Sequence, residues 1–415
     1  MRVRGERSRL LWLLASLAIV AALFAAACGG DDDDDDDGGG TTVRGFTDAG
    51  YKTAGFKTVE IASGQPIKIG ISSALTGDAK GLGLPIADSA AIAAEGKTIK
   101  GHKVEIVRED DVCTADGGPA AADRLIKANV VAVVGPICSG GTSASLAVYD
   151  TAGITHISPS ATAGNVTTPA RAEGPFVTFF RVPPLNADEA RAQAKFMKDT
   201  LKAKKAFVVF DTDAYGKGLS EDFQTAWKAG GGTIVGQPAG YEKKTADFKA
   251  VISSIKQAKP DVVYFAGFFG EATPFIQQLR ADNDTKGIAF MGSDGVKNEE
   301  FLKAGAAAEN TYHAVPGVEG PKFQEYAGKY KDAATATYGA EAYDAMTAIL
   351  NAIEKVATDS GGKLTIDQKK LNEEIKKTNF VGASGTVKFK ANGDRDAAEV
   401  RIFQVKAGKF VEIKN

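Results

Sequence analysis

Val130-Val131-Ala132-Val133-Val134-Gly135-Pro136-Ile137-Cys138-Ser139-Gly140-Gly141-Thr142-Ser143 and, just downstream, Ile154-Thr155-His156-Ile157-Ser158-Pro159-Ser160-Ala161-Thr162 decide how this chain folds. Residues 130–134 form a β-branched run that reads as a short buried strand. Gly135-Pro136 stops it. Residues 144–152 are an amphipathic helical segment, and residues 154–157 are a second buried strand. Strand, helix, strand in that order is the unit of a parallel α/β sheet. Each strand opens into small residues and hydroxyls: Ser139 and Gly140 after the first, Ser160, Ala161 and Thr162 after the second. Ligands of open α/β sheets lie off the carboxyl ends of strands. Backbone N–H groups at a helix start favour an anion there, such as a carboxylate. Ordinary αβ loops use the same residue types, and two such loops on adjacent strands put a binding site on level terms with that reading.

Outward from this stretch the alternation continues. Residues 66–73 and 103–108 read as strands and 117–128 as a helix. Residues 75–84 read as a Gly-rich loop, with Pro85 opening a helix to residue 94. Residues 176–182 make a further strand, Pro183-Pro184 a break, and 186–201 a long amphipathic helix. The pattern then restarts, with strands at 206–210, 233–235, 261–266, 288–291 and 311–315. Helices follow near 322–334, 339–357 and 366–377, and the tail 385–413 is β with turns at Asn392-Gly393 and Ala407-Gly408. The expected class is α/β: two Rossmann-like lobes joined by multiple crossovers. Lobe 1 takes residues 66–183 with about 316–381, and lobe 2 takes 184–315 with about 382–415. Two lobes around a cleft make a hinged trap.

Composition excludes several functions. The 415 residues, 44% hydrophobic and 25% charged, suit two domains or one two-lobed body. A formal charge of −2 gives no reason to expect nucleic acid as a partner. The three histidines, His102, His156 and His313, are scattered, so no metal site is expected. Gly81-Leu82-Gly83 lacks the third glycine and the acidic residue of a dinucleotide site, so no cofactor is expected. No nucleophile–base pair is visible, and an enzyme is not expected.

The N-terminus reads as a targeting segment. Arg2, Arg4, Arg7 and Arg9 precede an apolar run at 10–27, and Leu23-Phe24-Ala25-Ala26-Ala27-Cys28-Gly29 resembles a loose bacterial lipobox. Residues 1–27 are then a lipoprotein signal peptide and Cys28 the lipidated residue, which places the protein on the extracytoplasmic face of the cell membrane. A membrane helix is the alternative reading. Residues 28–65, with seven consecutive Asp at 31–37, read as an Asp/Gly-rich tether. Removing residues 1–27, which hold four Arg and one Glu, takes the formal charge from −2 to −5. Cys113 and Cys138 remain, an even pair in an oxidising compartment; each follows a strand, so they are expected to meet, with two buried thiols as the alternative.

At this point the chain resembles the periplasmic leucine/isoleucine/valine-binding proteins of ABC importers, over roughly residues 66–405. The landmarks are EDDVC (109–113), VVGPICSGGT (133–142), ISPSAT (157–162), FFRV (179–182) and DAYGKGL (213–219), then DFKAVISSIK (247–256), PDVVYFAGFFGEA (260–272), FMGSDG (290–295) and GTVKFKANGDRDAAEVRIFQV (385–405). The resemblance implies a type I binding-protein fold and a zwitterion site. Ser139 and Thr162 would hold the ligand carboxylate. The Ser160 carbonyl and the Thr162 hydroxyl would meet the ammonium, with Tyr215 contributing from the second lobe and Asp294 pairing with the charge. Cys113 and Cys138 match the family disulfide. Leu82 stands where the family often has an aromatic, Phe268 where it has a tyrosine, and Tyr338 where it places an aromatic wall. The implied partners are an amino-acid ligand, branched-chain or other aliphatic, and the permease subunits of an importer, with a monomer as the working form. A ligand-sensing lipoprotein of the same fold is the alternative, as is a receptor for an amide, urea or an aromatic or carboxylic acid.

Overall fold

A computed structural model describes residues 55–167, 176–333, 335–396 and 399–414. The expected signal peptide, Cys28 and the Asp run lie outside the described residues. The chain enters through β1 (Thr58–Ile61) and builds a first sheet from β2 (Ile67–Ser73), β3 (Thr98–Ile99), β4 (His102–Asp110), β5 (Ala132–Val134), β6 (Thr155–Ser158) and β7 (Phe179–Arg181). The connecting helices are α1 (Lys80–Ala94), α2 (Gly117–Lys127) and α3 (Ser139–Ala152). The sheet order is β3-β4-β2-β5-β6-β7, all parallel except the β3–β4 pair.

A second sheet follows after Val182-Pro183-Pro184. It uses β8 (Lys205–Asp211), β9 (Thr233–Ile234), β10 (Ala239–Tyr241), β11 (Val262–Ala266), β12 (Ala289–Gly292) and β13 (Tyr312–Pro316). Its helices are α4 (Asn186–Asp199), α5 (Ala214–Ala229), α6 (Lys249–Ala258) and α7 (Phe269–Ala281). The chain then returns to the first lobe through α8 (Phe323–Lys329), α9 (Gly339–Val356), β14 (Thr358–Ser360), β15 (Lys363–Asp367), α10 (Gln368–Lys376), β16 (Asn379–Gly382) and β17 (Gly385–Lys388). It closes with β18 (Val400–Lys406) and β19 (Lys409–Ile413), which extend the second sheet to the order β10-β8-β11-β12-β13-β18-β19. This is the expected α/β class, with two large sheets, two small ones (β1-β15-β14 and β16-β17) and repeated crossovers.

The parallel parts of both large sheets have the same pattern: the first strand, β2 or β8, lies inside, and the order reverses beside it. The switch points are β2/β5 in one sheet and β8/β11 in the other, and crevices at such points receive ligands. The cores explain why these strands form. Ile67, Ile69, Ile71, Val133 and Val134 are fully buried, as are Val208, Val262 and Val263. Each such side chain contributes about 1.5–3 kcal/mol of burial. Helix α3 ends at Gly153, whose φ of 69° suits a residue without Cβ.

Several sequence expectations need correction. The tether expected over residues 28–65 ends earlier: β1 pairs antiparallel with β15, Ile61 opposite Leu364. Four alternating residues are too few to signal a strand without their partner, and that partner lies some three hundred residues away. The Gly-rich loop expected at 75–84 is helix in its second half: α1 begins at Lys80, so Pro85 lies inside it and Leu82 is a buried helical residue. Packing overrides glycine's poor helix propensity here, because a Cβ at Gly83 would lie 2.0 Å from the Ala74 carbonyl oxygen. Helix α3 likewise starts at Ser139 rather than near 144. The segment 382–396 was expected with the second lobe. It packs on the first: Ala383 and Ser384 N–H donate to Asp344, and Arg395 donates to the Val182 carbonyl.

Candidate ligand-binding site

The first lobe contributes the ends of β5 and β6. Ser139 and Gly140 lie in the first turn of α3, whose leading N–H groups have no carbonyl within the helix and carry its positive dipole end. Ser139 Oγ accepts the Ala163 N–H at 3.2 Å, which ties the β5 and β6 loops together. The residue before Ser139 is fixed by the Cys113–Cys138 disulfide, with Cα atoms 5.3 Å apart. After β6, Ser158 Oγ donates to the Pro136 carbonyl at 2.6 Å and accepts the Ala161 N–H at 3.0 Å. Ser160 Oγ donates to the Ile137 carbonyl at 2.7 Å, so that hydroxyl is engaged by backbone. Thr162 is different: its hydroxyl is buried with no partner. An unmade bond of this kind costs about 1–3 kcal/mol, which a ligand acceptor at the loop would recover.

This loop is held from behind by the arginine of the FFRV stretch. Arg181, fully buried at the end of β7, donates to the carbonyls of Ala161 at 2.9 Å and Ala163 at 2.8 Å. It pairs with buried Asp394 at 2.7 Å.

The second lobe supplies the opposite polarity. Asp294 follows β12 and is buried. Its two carboxylate oxygens accept the hydroxyls of Tyr215, from α5, and Tyr338, just before α9. Gly295 N–H donates to Tyr215 Oη at 3.1 Å. Burial, and then the Asp294 carboxylate, push both phenols well above their usual range, so they remain neutral donors. Tyr338 has φ 65°, the left-handed region a bulky residue rarely adopts. Such outliers persist where surrounding contacts over-determine them, and here the hydroxyl bond to Asp294 is one of those contacts. The Phe268 ring lies 5.0 Å from that of Tyr215. Leu82 and Tyr338 share one apolar cluster, with Phe268 packed against it.

Three contacts cross from lobe to lobe beside these groups. A Cβ at Gly140 would lie 2.7 Å from Asp213 Oδ1, so the missing side chain admits a second-lobe carboxylate to the start of α3. Lys243 pairs with Asp213 at 2.8 Å and donates to the Cys113 carbonyl at 2.9 Å. Asn298 Nδ2 donates to the Gly81 carbonyl at 3.0 Å. The lobes are therefore closed on each other. Lys243 and Asn298 lie in no landmark stretch, and Asp213, although it opens DAYGKGL, carries no local sign of this role, since each acts through a partner distant in sequence. The histidines take structural places: His102 bonds the carbonyls of Gln65 and Gly362 at 2.8 and 3.1 Å. Burial pulls His156 and His313 down to about 3.

The family model described as periplasmic binding protein matches residues 66–409. The chain belongs to the periplasmic binding protein family. Its relatives are those that the motifs implied. A leucine-, isoleucine-, valine-, threonine- and alanine-binding protein of Pseudomonas aeruginosa is 27% identical over 363 residues, covering 85% of this chain and 92% of the relative. The Leu/Ile/Val-binding protein of Escherichia coli is 31% identical over 215 residues, 51% of this chain and 56% of that protein. Among solved structures, a leucine-binding protein of Thermotoga maritima superposes with a TM-score of 0.74 at 26% identity, covering 84% of this chain and 98% of the other. A branched-chain amino acid transporter substrate-binding protein of Streptococcus pneumoniae, solved with isoleucine, shares the fold with a TM-score of 0.72 at 24% identity, covering 84% and 100%. This periplasmic binding protein is thus a solute-binding protein, not an enzyme, and its homologues work outside the cytoplasm.

Proposed function

We propose that this binding protein captures an amino acid, branched-chain or other aliphatic, between its lobes and delivers it as a monomer to the permease subunits of an ABC importer. A lipid on Cys28 anchors it to the extracytoplasmic face of the membrane. One observation carries the ligand reading: an unpartnered Thr162 hydroxyl and a helix start in one lobe, and a buried Asp294 carboxylate in the other. A zwitterion fits that polarity. Its carboxylate meets Ser139, Gly140 and Thr162, and its ammonium meets Asp294 with the Ser160 carbonyl. Leu82, Phe268, Tyr215 and Tyr338 bound the side chain, and Ala161 completes the loop. Each desolvated charge-assisted bond contributes about 1.5–3 kcal/mol, and each buried CH₂ about 0.8 kcal/mol. These bonds form only across a closed cleft, so binding drives closure.

A thermal-shift screen against the common amino acids, amides and small carboxylic acids tests the ligand. At a hundred times its dissociation constant a ligand stabilises by about 2.7 kcal/mol. A shift with Leu, Ile or Val is expected; silence from every amino acid, with a shift from an amide or an aromatic acid, would overturn the substrate class. For the anchor, Cys28→Ser should release the protein from the membrane fraction, and continued retention would make the N-terminus a membrane helix.

A further inference from the structure

Behind Asp294 lies a second carboxyl group that zwitterion binding does not use. Glu189 sits in the first turn of α4 and is fully buried. Its Oε1 accepts the Asp294 backbone N–H at 3.0 Å, while its Oε2 is buried with no partner. The Asp294 N–H bond thus sets the Glu189 carboxyl directly against the Asp294 residue. Four titratable groups face Glu189: Asp294 after β12, Tyr215 from α5, Tyr264 from β11 and Tyr338 before α9. None of the four is a cation. Burial first, and then the Asp294 carboxylate, hold the Glu189 carboxyl well above its usual range.

Two ionised carboxylates sealed together without a cation are among the costliest arrangements a protein interior can hold. A neutral Glu189 removes the conflict and satisfies its orphan oxygen. With Oε1 accepting the Asp294 N–H, a proton on Oε2 would be available to donate to the Asp294 carboxylate. Resting on the reading of Asp294 as the ammonium partner, we propose that Glu189 is a neutral positioning residue, which grips Asp294 by backbone and side chain and leaves a single negative charge at the ammonium end of the cleft. The site then selects a ligand with one ammonium group, because a second cationic group there would find no second carboxylate; Asp213, at the other end, is already paired with Lys243.

The test compares the protein with Glu189→Gln and Glu189→Leu. The amide of Gln can both accept the Asp294 N–H and donate to its carboxylate; Leu can do neither. The first readout needs no ligand: the infrared difference spectrum of wild type minus Glu189→Gln at neutral pH. Subtraction removes bands common to both proteins, including those of Asp211 and Glu341, whose carboxyls burial raises to about 7. A neutral-carboxyl C=O band present in wild type and absent in Glu189→Gln supports the assignment, and an ionised carboxylate band in its place overturns it. The second readout is L-leucine affinity by calorimetry. Glu189→Gln should stay within about twofold of wild type and Glu189→Leu should weaken binding about tenfold or more, the worth of one charge-assisted bond. Equal affinity in both variants overturns the positioning role. Asp294→Asn separates this from the site reading: if it leaves leucine binding unchanged, the ammonium assignment fails while the infrared band still decides the state of Glu189.

Discussion

Asn298 offers a sharp test of how the cleft is held shut. Pro85 lies inside α1 and has no N–H, so the Gly81 carbonyl lacks its usual partner four residues on. Asn298, from the other lobe, donates to that carbonyl at 3.0 Å, while its Oδ1 caps its own segment by accepting the Glu300 N–H at 2.9 Å. The substitution Asn298→Asp keeps the cap and loses the donor. The lost bond exists only when the lobes meet, so its effect falls on closure: about 1–2 kcal/mol, or roughly a five- to thirty-fold weaker apparent affinity. Pro85→Ala supplies the missing N–H within the helix and satisfies Gly81 without help. In that background Asn298→Asp should cost far less. Calorimetric titration of L-leucine into the four proteins of this cycle measures the coupling. An equal loss in both backgrounds would refute the argument that the proline creates the need for the latch.

Other consequences follow from the same geometry. Asp294→Asn removes the charge offered to an ammonium and should lower leucine affinity roughly ten- to hundred-fold without unfolding the protein, as read by calorimetry and circular dichroism. The Cys113–Cys138 bridge spans 25 residues, and replacing both cysteines by serine should lower stability by about 3.5 kcal/mol in urea unfolding; a loss below about 1 kcal/mol would mean other contacts hold the loop. His156 is neutral in the fold, with its pKa drawn to about 3 by burial. Since the unfolded chain binds that proton near pH 6.5 and the fold does not, its contribution is intact above about pH 6.5. It falls by about 1.4 kcal/mol per unit as pH drops toward 3. His156→Phe should flatten the acid limb of the stability profile relative to wild type, and parallel profiles would contradict the assignment.

What was legible in the sequence was whatever had a local signature. The β-branched run 130–134, the hydroxyl-rich turns after it and the acidic turn at Asp294 each announce themselves within a few residues. So do the two cysteines, which follow the consecutive strands β4 and β5 on either side of β2. Misreadings came where tertiary packing decides. Gly81 and Gly83 suggest a loop by propensity, but Gly83 is needed for α1 to pass against the Ala74 carbonyl. β1 is a short strand that exists because it pairs with β15, which β14 flanks on its other side. The supporting residues were the least visible. Glu189 and Asp294 are 105 residues apart, and Gly81 and Asn298 are 217 apart. Glu189 reads as an ordinary acidic residue in a helix's first turn, where the dipole favours it; only the fold brings it behind a second carboxylate.

The central claim is that the cleft recognises both ends of a zwitterion. The most direct measurement is a calorimetric comparison of L-leucine with isocaproic acid, which lacks the ammonium group, and isopentylamine, which lacks the carboxylate. Binding of leucine, with each half-ligand weaker by at least about tenfold, is the expected result. Isocaproic acid binding as tightly as leucine would show that Asp294 takes no part in recognition and would contradict the account.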